Sequence, residues 1–450
     1  MRASLDRGSL ILVLCGLAVV VPPALAACSA NSTGNDFSAG GSGGGSSVSS
    51  ASSTSSSATS GGGGEGGGLL IDGGPGATGT GGGLPTCTPA GKDDDVDKDG
   101  FTPNQGDCDD CDPFSNPNSL EVVATDGSKA KDENCDGTID EVTPATTCDQ
   151  GLDIEDLDPM TVPKAVELCK LSTGPKDWGV VSAEWVLADG SPPQAADLEN
   201  FHLGHGFLSH FGANVKLRAG ASMLALSSGS ARNIDDPGYH DVQGFDKLYQ
   251  GNHPAGFPKE SPTCPGTTTG EPHDPTGVEV KILAPSNARG FSFDFDFFTF
   301  EWPGFICNKY NDFFVAILSP TPAGQSDGNI TFDQLGNPVS VNNAFLEVCG
   351  CEGNPPNACT AGGKSFSCAL GDTDLIGTGF GFDTNPSKQD HGSTGWLQTT
   401  APVEPGKEFS LRWAVYDSGD GSLDTTTLID NWKWLATPGI TVGTNPVPPQ

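Results

Sequence analysis

Apolar and polar residues alternate most regularly at 291–297, where Phe291, Phe293, Phe295 and Phe297 fall on one side of an extended chain and Ser292, Asp294 and Asp296 on the other. Successive side chains of a strand point to opposite faces, so this period of two predicts a strand with one aromatic and one solvent-facing side. Residues 278–283 alternate in the same way, and 178–187, 222–226, 313–318, 409–416 and 428–434 read as further strands. Two stretches have a helical period instead. Val162, Ala165, Val166, Leu168 and Cys169 predict a helix over 158–171, and 195–211 reads as a second one. Many short strands divided by Gly/Pro turns predict a mainly β fold, an antiparallel β-sandwich with a few helices, over 148–440, followed by a flexible tail at 441–450.

The first 147 residues lack this patterning. Arg2 and Arg7 precede an apolar run, Leu10 to Val21, too short to cross a bilayer as a stable helix; residues 1–27 therefore read as a signal peptide. The following Leu25-Ala26-Ala27-Cys28 resembles a bacterial lipobox, which implies cleavage before Cys28 and a lipid on that residue. Ser29 in the next position implies the outer rather than the inner membrane. Residues 28–86 are Gly/Ser-rich and cannot bury a core, so they are expected to be a disordered linker. A coil of that length averages roughly 40 Å end to end, from about 5–6 Å × √n.

Charge changes the picture next. The chain carries 57 Asp and Glu against 22 Lys and Arg, a net of −35. No basic stripe exists to meet phosphates, so nucleic acid is excluded as a partner. The acid is concentrated: 92–141 holds 13 Asp, 3 Glu and only 4 Lys. Few apolar residues accompany it, so residues 87–147 form a module that metal and disulfides must stabilise.

Within that module, Asp95-x-Asp97-x-Asp99-Gly100-Phe101 has the spacing by which a turning loop aims every second side chain at one cation, with Gly taking the sharp turn and Phe101 offering its carbonyl. Asp107, Asp109, Asp110 and Asp112 follow closely. Asp132-x-Asn134-x-Asp136-Gly137-Thr138, with Asp140 and Glu141, repeats the grammar. An all-oxygen set of this size suits calcium. Copper is disfavoured, because neither His nor Met lies between Cys87 and Cys148. The module resembles the MopE-type putative metal-binding repeat through these motifs together with Gly106-Asp107-Cys108-Asp109-Asp110, Asp112-Pro113, Pro117, Glu121 and Asn134-Cys135-Asp136-Gly137. The resemblance implies a Cys108–Cys135 disulfide. Cys111 is additional to the pattern, with Cys87 as its candidate partner.

Further along, Phe293 to Pro303, Tyr310-Asn311-Asp312-Phe313-Phe314, Phe211 to Val215, Gly220 to Ala231, and Asp417-x-x-Asp420-x-x-x-Asp424 with Leu428-Ile429-Asp430-Asn431 resemble the choice-of-anchor L domain, over 148–435. That implies a secreted or surface β-rich domain without known catalysis. Glu301, Asn311, Asp312, Asp420, Asp424 and Asp430 fall at strand ends, where converging carboxylates offer a second calcium site; the alternative is turn chemistry. His202-x-x-His205 with His210 is a weak zinc pattern whose apolar neighbours suggest packing. Fourteen Cys point to an oxidising compartment. The expected bridges are Cys148 with Cys169 and Cys264 with Cys307, plus a stapled loop among Cys349, Cys351, Cys359 and Cys368.

The reading that joins these features is a non-catalytic, calcium-binding lipoprotein of the bacterial outer membrane, surface-exposed, displaying a β-sandwich for adhesion or matrix contact, with an extracellular glycan or surface protein as partner. A carbohydrate-binding module stacking sugars on Trp302, Trp396, Trp432 and Trp434 is the first alternative. A hydrolase using Asp294 and Asp296 is the second.

Overall fold

The computed structural model describes residues 87–88, 91–124, 129–141, 147–342, 345–350, 359–361, 363–381 and 391–448. The signal peptide, Cys28, the linker and Cys351 lie outside the described residues, and the side chain of Cys359 is not described.

The chain order is α1 (Val162–Ala165), β1 (Gly179–Val186), α2 (Leu198–Phe201), β2 (His205–Leu208), β3 (Met223–Ser227), β4 (Pro272–Leu283), β5 (Gly290–Thr299), β6 (Phe313–Ser319), β7 (Val348–Cys349), β8 (Cys359–Ala361), β9 (Lys364–Phe366), β10 (Gly392–Ser393), β11 (Leu397–Pro402), β12 (Glu408–Ser418), β13 (Thr425–Leu435) and β14 (Gly443–Pro446). Strands β1-β4-β12-β6 make one antiparallel sheet and β14-β11-β5-β13-β3-β2 a second, with β10 also beside β5. The two sheets face each other as a β-sandwich. Phe291, Phe293, Phe295 and Phe297 of β5 fill the space between them with Val278, Val280 and Ile282 of β4 and Leu411, Trp413 and Val415 of β12. Trp432 stacks on Phe291 at 4.4 Å, and Trp413 meets Phe293 edge-on at 5.5 Å. Each such side chain contributes roughly 1.5–3 kcal/mol of burial, so this seam dominates stability.

The expectation of a wet polar face on β5 fails. Every residue of β5 is buried, because Leu208, Phe211, Phe298, Phe300, Leu375 and Phe380 form a second apolar layer on the far side of its sheet. The helix expected over 158–171 is one α-turn preceded by a 3₁₀ turn. Glu167, at φ 65, breaks it, yet Val162, Ala165, Val166 and Leu168 are all buried in the core. The helix expected over 195–211 gives way after one turn to β2. Residues 441–448 are not a flexible tail: β14 pairs with β11 at the sheet edge.

The acidic module packs against this sandwich rather than hanging from it. Asn118 accepts the Ser286 amide at 2.9 Å through its carbonyl and the Trp178 amide at 2.6 Å through Oδ1. Leu120 and the Asn287 side chain exchange two hydrogen bonds of 2.8 Å. Arg289 covers Phe114, its guanidinium 4.4 Å from the ring centre. Among the described residues, five disulfides join Cys87 to Cys111, Cys108 to Cys135, Cys148 to Cys169, Cys264 to Cys307 and Cys349 to Cys368.

Candidate metal centre

The loop at 95–110 divides the labour within each carboxylate. One oxygen folds the chain. Asp95 Oδ2 accepts the Gly100 amide at 3.1 Å, Asp97 Oδ1 that of Asp99 at 3.1 Å, and Asp99 Oδ1 that of Phe101 at 2.7 Å. Asp107 Oδ1 accepts the Asp109 amide and Asp110 Oδ1 the Val96 amide, both at 2.9 Å. These are the side-chain-to-backbone bonds that let Asp close turns. Gly100, at φ 98, supplies the left-handed turn that a side chain resists.

The other oxygen of each carboxylate faces inward. Asp95 Oδ1, Asp97 Oδ2, Asp99 Oδ2, Asp107 Oδ2 and Asp110 Oδ2 are buried and receive no donor. Ligand oxygens of Asp95, Asp97 and Asp99 lie within 4.8 Å of one another, as do those of Asp97, Asp107 and Asp110. Oxygens on opposite sides of one calcium ion are about 4.8 Å apart, twice a bond of about 2.4 Å. Asp97 therefore belongs to both groups and joins the two triads at a common corner.

Left to itself this arrangement repels. Two ionised carboxylates about 4 Å apart cost about 4 kcal/mol at the effective dielectric of a protein surface. Loss of water, with the charges of Asp99, Asp107 and Asp95 behind it, lifts Asp97 to a pKa of about 6. Desolvation also raises Asp99 and Asp107 against the backbone amides that hold them down. No carboxylate of the loop enters an ion pair with Lys or Arg among the described residues, the Asp112–Lys131 pair aside. A divalent cation there would offset part of this charge and offer the inward oxygens a partner.

Two residues expected in this set stand apart from it. The Asp109 side chain is exposed. Asp112 caps the Phe114 amide at 3.2 Å with one oxygen and pairs with Lys131 at 2.7 Å with the other.

The second loop is less assembled. Asp132 spends both oxygens on the amides of Asp136 and Gly137, Asp136 is exposed with Oδ1 on the Thr138 amide, and Asp140 holds the Ala124 amide. Only Glu121 Oε2 and Glu141 Oε2 are buried without a donor. Asn134 is bound to the other oxygen of Glu141 at 2.9 Å. Glu121, which the repeat pattern contains but the Asp spacing does not reveal, is thus the side chain that sequence reasoning missed.

In the sandwich, the expected strand-end set splits. Glu301 and Asp312 come together with Asp417, whose oxygens lie within 4.8 Å of theirs. Asn311 is buried beside them, while Asp420 is only half-buried. Asp424 is buried against Gly229 and is drawn toward the charge of Lys247. Asp430 is elsewhere: its carboxylate accepts the amides of Arg218, Ala219 and Asn431 and leaves no room for a metal.

The remaining sequence readings resolve as follows. Asp294 is bound by Arg218 at 3.0 Å, Gln398 at 2.9 Å and Asn431 at 2.8 Å, and Asp296 accepts the Thr394 hydroxyl; both are buried. Trp302 and Trp432 are core residues, and Trp396 and Trp434 pack half-buried on the two apolar layers. His202 Nδ1 lies 2.7 Å from His205 Nε2, His205 stacks on Trp185 at 3.8 Å, and His210 turns away to the Gly212 carbonyl. No group of three potential ligands among the described residues contains His or Cys.

Residues 212–432 match the choice-of-anchor L domain family, a span that covers the sandwich from before β3 to the middle of β13 and leaves out the acidic module. No curated protein and no solved structure matches the chain. Residues 212–432 are therefore similar to a choice-of-anchor L domain, which suggests a β-rich protein of the cell surface or envelope.

Proposed function

We propose that this protein is a calcium-organised surface display protein: a choice-of-anchor L sandwich carrying a calcium loop at 95–110, tethered to the outer membrane through lipid on Cys28 and used for adhesion or matrix contact. The observation that supports calcium is the set of five inward carboxylate oxygens without donors. Hard, flexible, all-oxygen coordination is what calcium takes, whereas magnesium prefers fewer protein ligands and more water. The docking contacts support a structural role for the ion. Lys176, just before β1, donates to the Gly100 carbonyl and lies 4.9 Å from the centre of the Phe101 ring, and Asn116 Oδ1 accepts the Ser286 hydroxyl at 2.9 Å. An ion that orders the loop therefore also orders the surface that seats it on the sandwich.

Calorimetric titration of calcium into the full chain tests this reading. Asp97→Asn keeps an oxygen for the Asp99 amide but removes a charge from both ligand groups. It is expected to weaken calcium binding by more than about tenfold. Unchanged affinity and stoichiometry would contradict the proposal. Fatty-acid labelling lost in Cys28→Ala tests the anchor.

A further inference from the structure

We propose a second metal site, inside the sandwich, in which Glu301, Asn311, Asp312 and Asp417 hold a calcium-type divalent cation that clamps the two sheets together at one end.

Glu301 follows β5, Asn311 and Asp312 precede β6, and Asp417 lies near the end of β12. The pairing of β12 with β4 shifts register between Val415 and Asp417. Irregularities of this kind re-aim a side chain, and they gather next to functional sites. The result is a group of carboxylates removed from water: Glu301 is 2% exposed, Asp312 0% and Asp417 1%. One oxygen of each lies within 4.8 Å of the others.

Their hydrogen bonding is incomplete in one direction. Glu301 Oε2 accepts the Asp312 amide at 3.0 Å, and Asp312 Oδ2 accepts the Thr425 hydroxyl. Asp312 Oδ1 and both oxygens of Asp417 receive no donor at all. No Lys, Arg or His forms an ion pair with any of the three among the described residues. Asn311 is independent evidence, because it is not an acid. Its backbone amide bonds the Ser418 carbonyl, next to Asp417, and its Oδ1 is buried without a donor in a residue that is 1% exposed. Protons could relieve the carboxylates by turning some oxygens into donors. They leave unexplained why an amide oxygen, which does not protonate, shares the same vacancy of donors. A cation accounts for all four side chains.

The ligand chemistry fixes the class of ion. Every donor is an oxygen and the ligands come from irregular strand ends, which suits calcium better than zinc or copper. Asp420, half-buried, adds negative charge acting on Glu301, Asp312 and Asp417 and favours a cation approaching from outside. Glu301 follows β5 of one sheet, while Asp312 immediately precedes β6 and Asp417 lies in β12 of the other. Thr425, bonded to Asp312, opens β13. One ion would thus join both layers, independently of the loop at 95–110.

The test counts calcium by native mass spectrometry and elemental analysis on the full chain. A loop-disabled background, Asp95→Asn with Asp97→Asn and Asp110→Asn, separates the two sites. That background is expected to keep one tightly held calcium, and adding Asp417→Asn to remove it. If Asp417→Asn does not fold, Glu301→Gln, which retains an acceptor for the Asp312 amide, is expected to lower affinity by more than about tenfold. In the loop-disabled protein, chelator should also lower the melting temperature. A loop-disabled chain that holds no calcium at millimolar concentration and melts alike with and without chelator would overturn the inference. So would an unchanged ion count in Asp417→Asn or an unchanged affinity in Glu301→Gln.

Discussion

The loop at 95–110 and the carboxylate cluster at the end of the sandwich bring the same chemical groups together by opposite routes. In the loop, the ligands lie within sixteen consecutive residues, and each carboxylate folds its own turn with one oxygen while aiming the other inward. In the sandwich, Glu301, Asp312 and Asp417 are brought together by strands and by a hydrophobic seam that none of them touches in sequence. The loop has only Phe101 as a buried apolar residue within it, so under the proposal its order is expected to depend on an ion as well as on the disulfides at Cys87–Cys111 and Cys108–Cys135. The sandwich has an extensive core, and any ion there is an addition to a fold that already stands. Two acidic clusters, of five and of three carboxylates, are therefore expected to differ in what they owe to metal.

Removing core volume breaks this comparison most severely. Phe293→Ala opens a cavity between the sheets and is expected to cost about 3–5 kcal/mol in denaturant unfolding, with or without calcium. A loss that calcium restored would mean that the seam is not the main source of stability. Chelation is next in size. Saturating calcium at about 100 times its dissociation constant stabilises the ordered loop by about 2.7 kcal/mol. Hydrogen exchange should then speed up on chelation at the amides of Asp99, Gly100 and Phe101 while those of β5 remain protected. Equal acceleration in both regions would erase the distinction.

A third prediction uses an acidic group to which no metal is assigned. Burial and the neighbouring charge of Asp430 push Glu167 up to about 9, with Asp149 adding a smaller push. Its folded-state proton is held more tightly than in the unfolded chain, where it leaves near pH 4.5. Its contribution to stability is therefore full below pH 4.5 and is lost progressively as pH rises to about 9. Glu167→Gln keeps an oxygen for the Asn431 amide and removes the titration. Melting at pH 8 should show a gain on the order of 1 kcal/mol, reduced by the solvent that reaches this half-buried group. A loss at pH 8 would contradict the assignment. The smallest effect belongs to Lys131→Ala. The Lys131–Asp112 pair is solvent-exposed, and its loss should change stability by less than about 1 kcal/mol and leave calcium affinity nearly intact.

Legibility in the sequence followed the range of the interactions. The strands were readable because a period of two survives burial on both faces: the phenylalanines of β5 mark one side whatever covers the other. What covers the other side was not readable, since Phe211, Leu375 and Phe380 arrive from distant loops. The segment 158–171 misled for a physical reason. Its apolar spacing reports burial against the sandwich, while Pro163 and the left-handed Glu167 limit the helix to one turn. Gly204 marks the same failure nearby: it ends a 3₁₀ turn at His202–Gly204, where a Cβ would collide with Thr276 Oγ1 and the Ser227 carbonyl of the adjoining sheet. In the loop, inward Asp residues were legible from local spacing, although spacing alone could not tell Asp110 from the exposed Asp109. Asp417 carried no local sign of its role, and only the meeting of β5, β6 and β12 supplies it.

Anomalous diffraction from crystals grown in calcium tests the central claim most directly. The account predicts a calcium peak at the focus of the inward oxygens of Asp95, Asp97, Asp99, Asp107 and Asp110, at bond lengths of about 2.3–2.6 Å. A loop of this geometry with no peak at millimolar calcium, its oxygens bridged by water or protons, would contradict it.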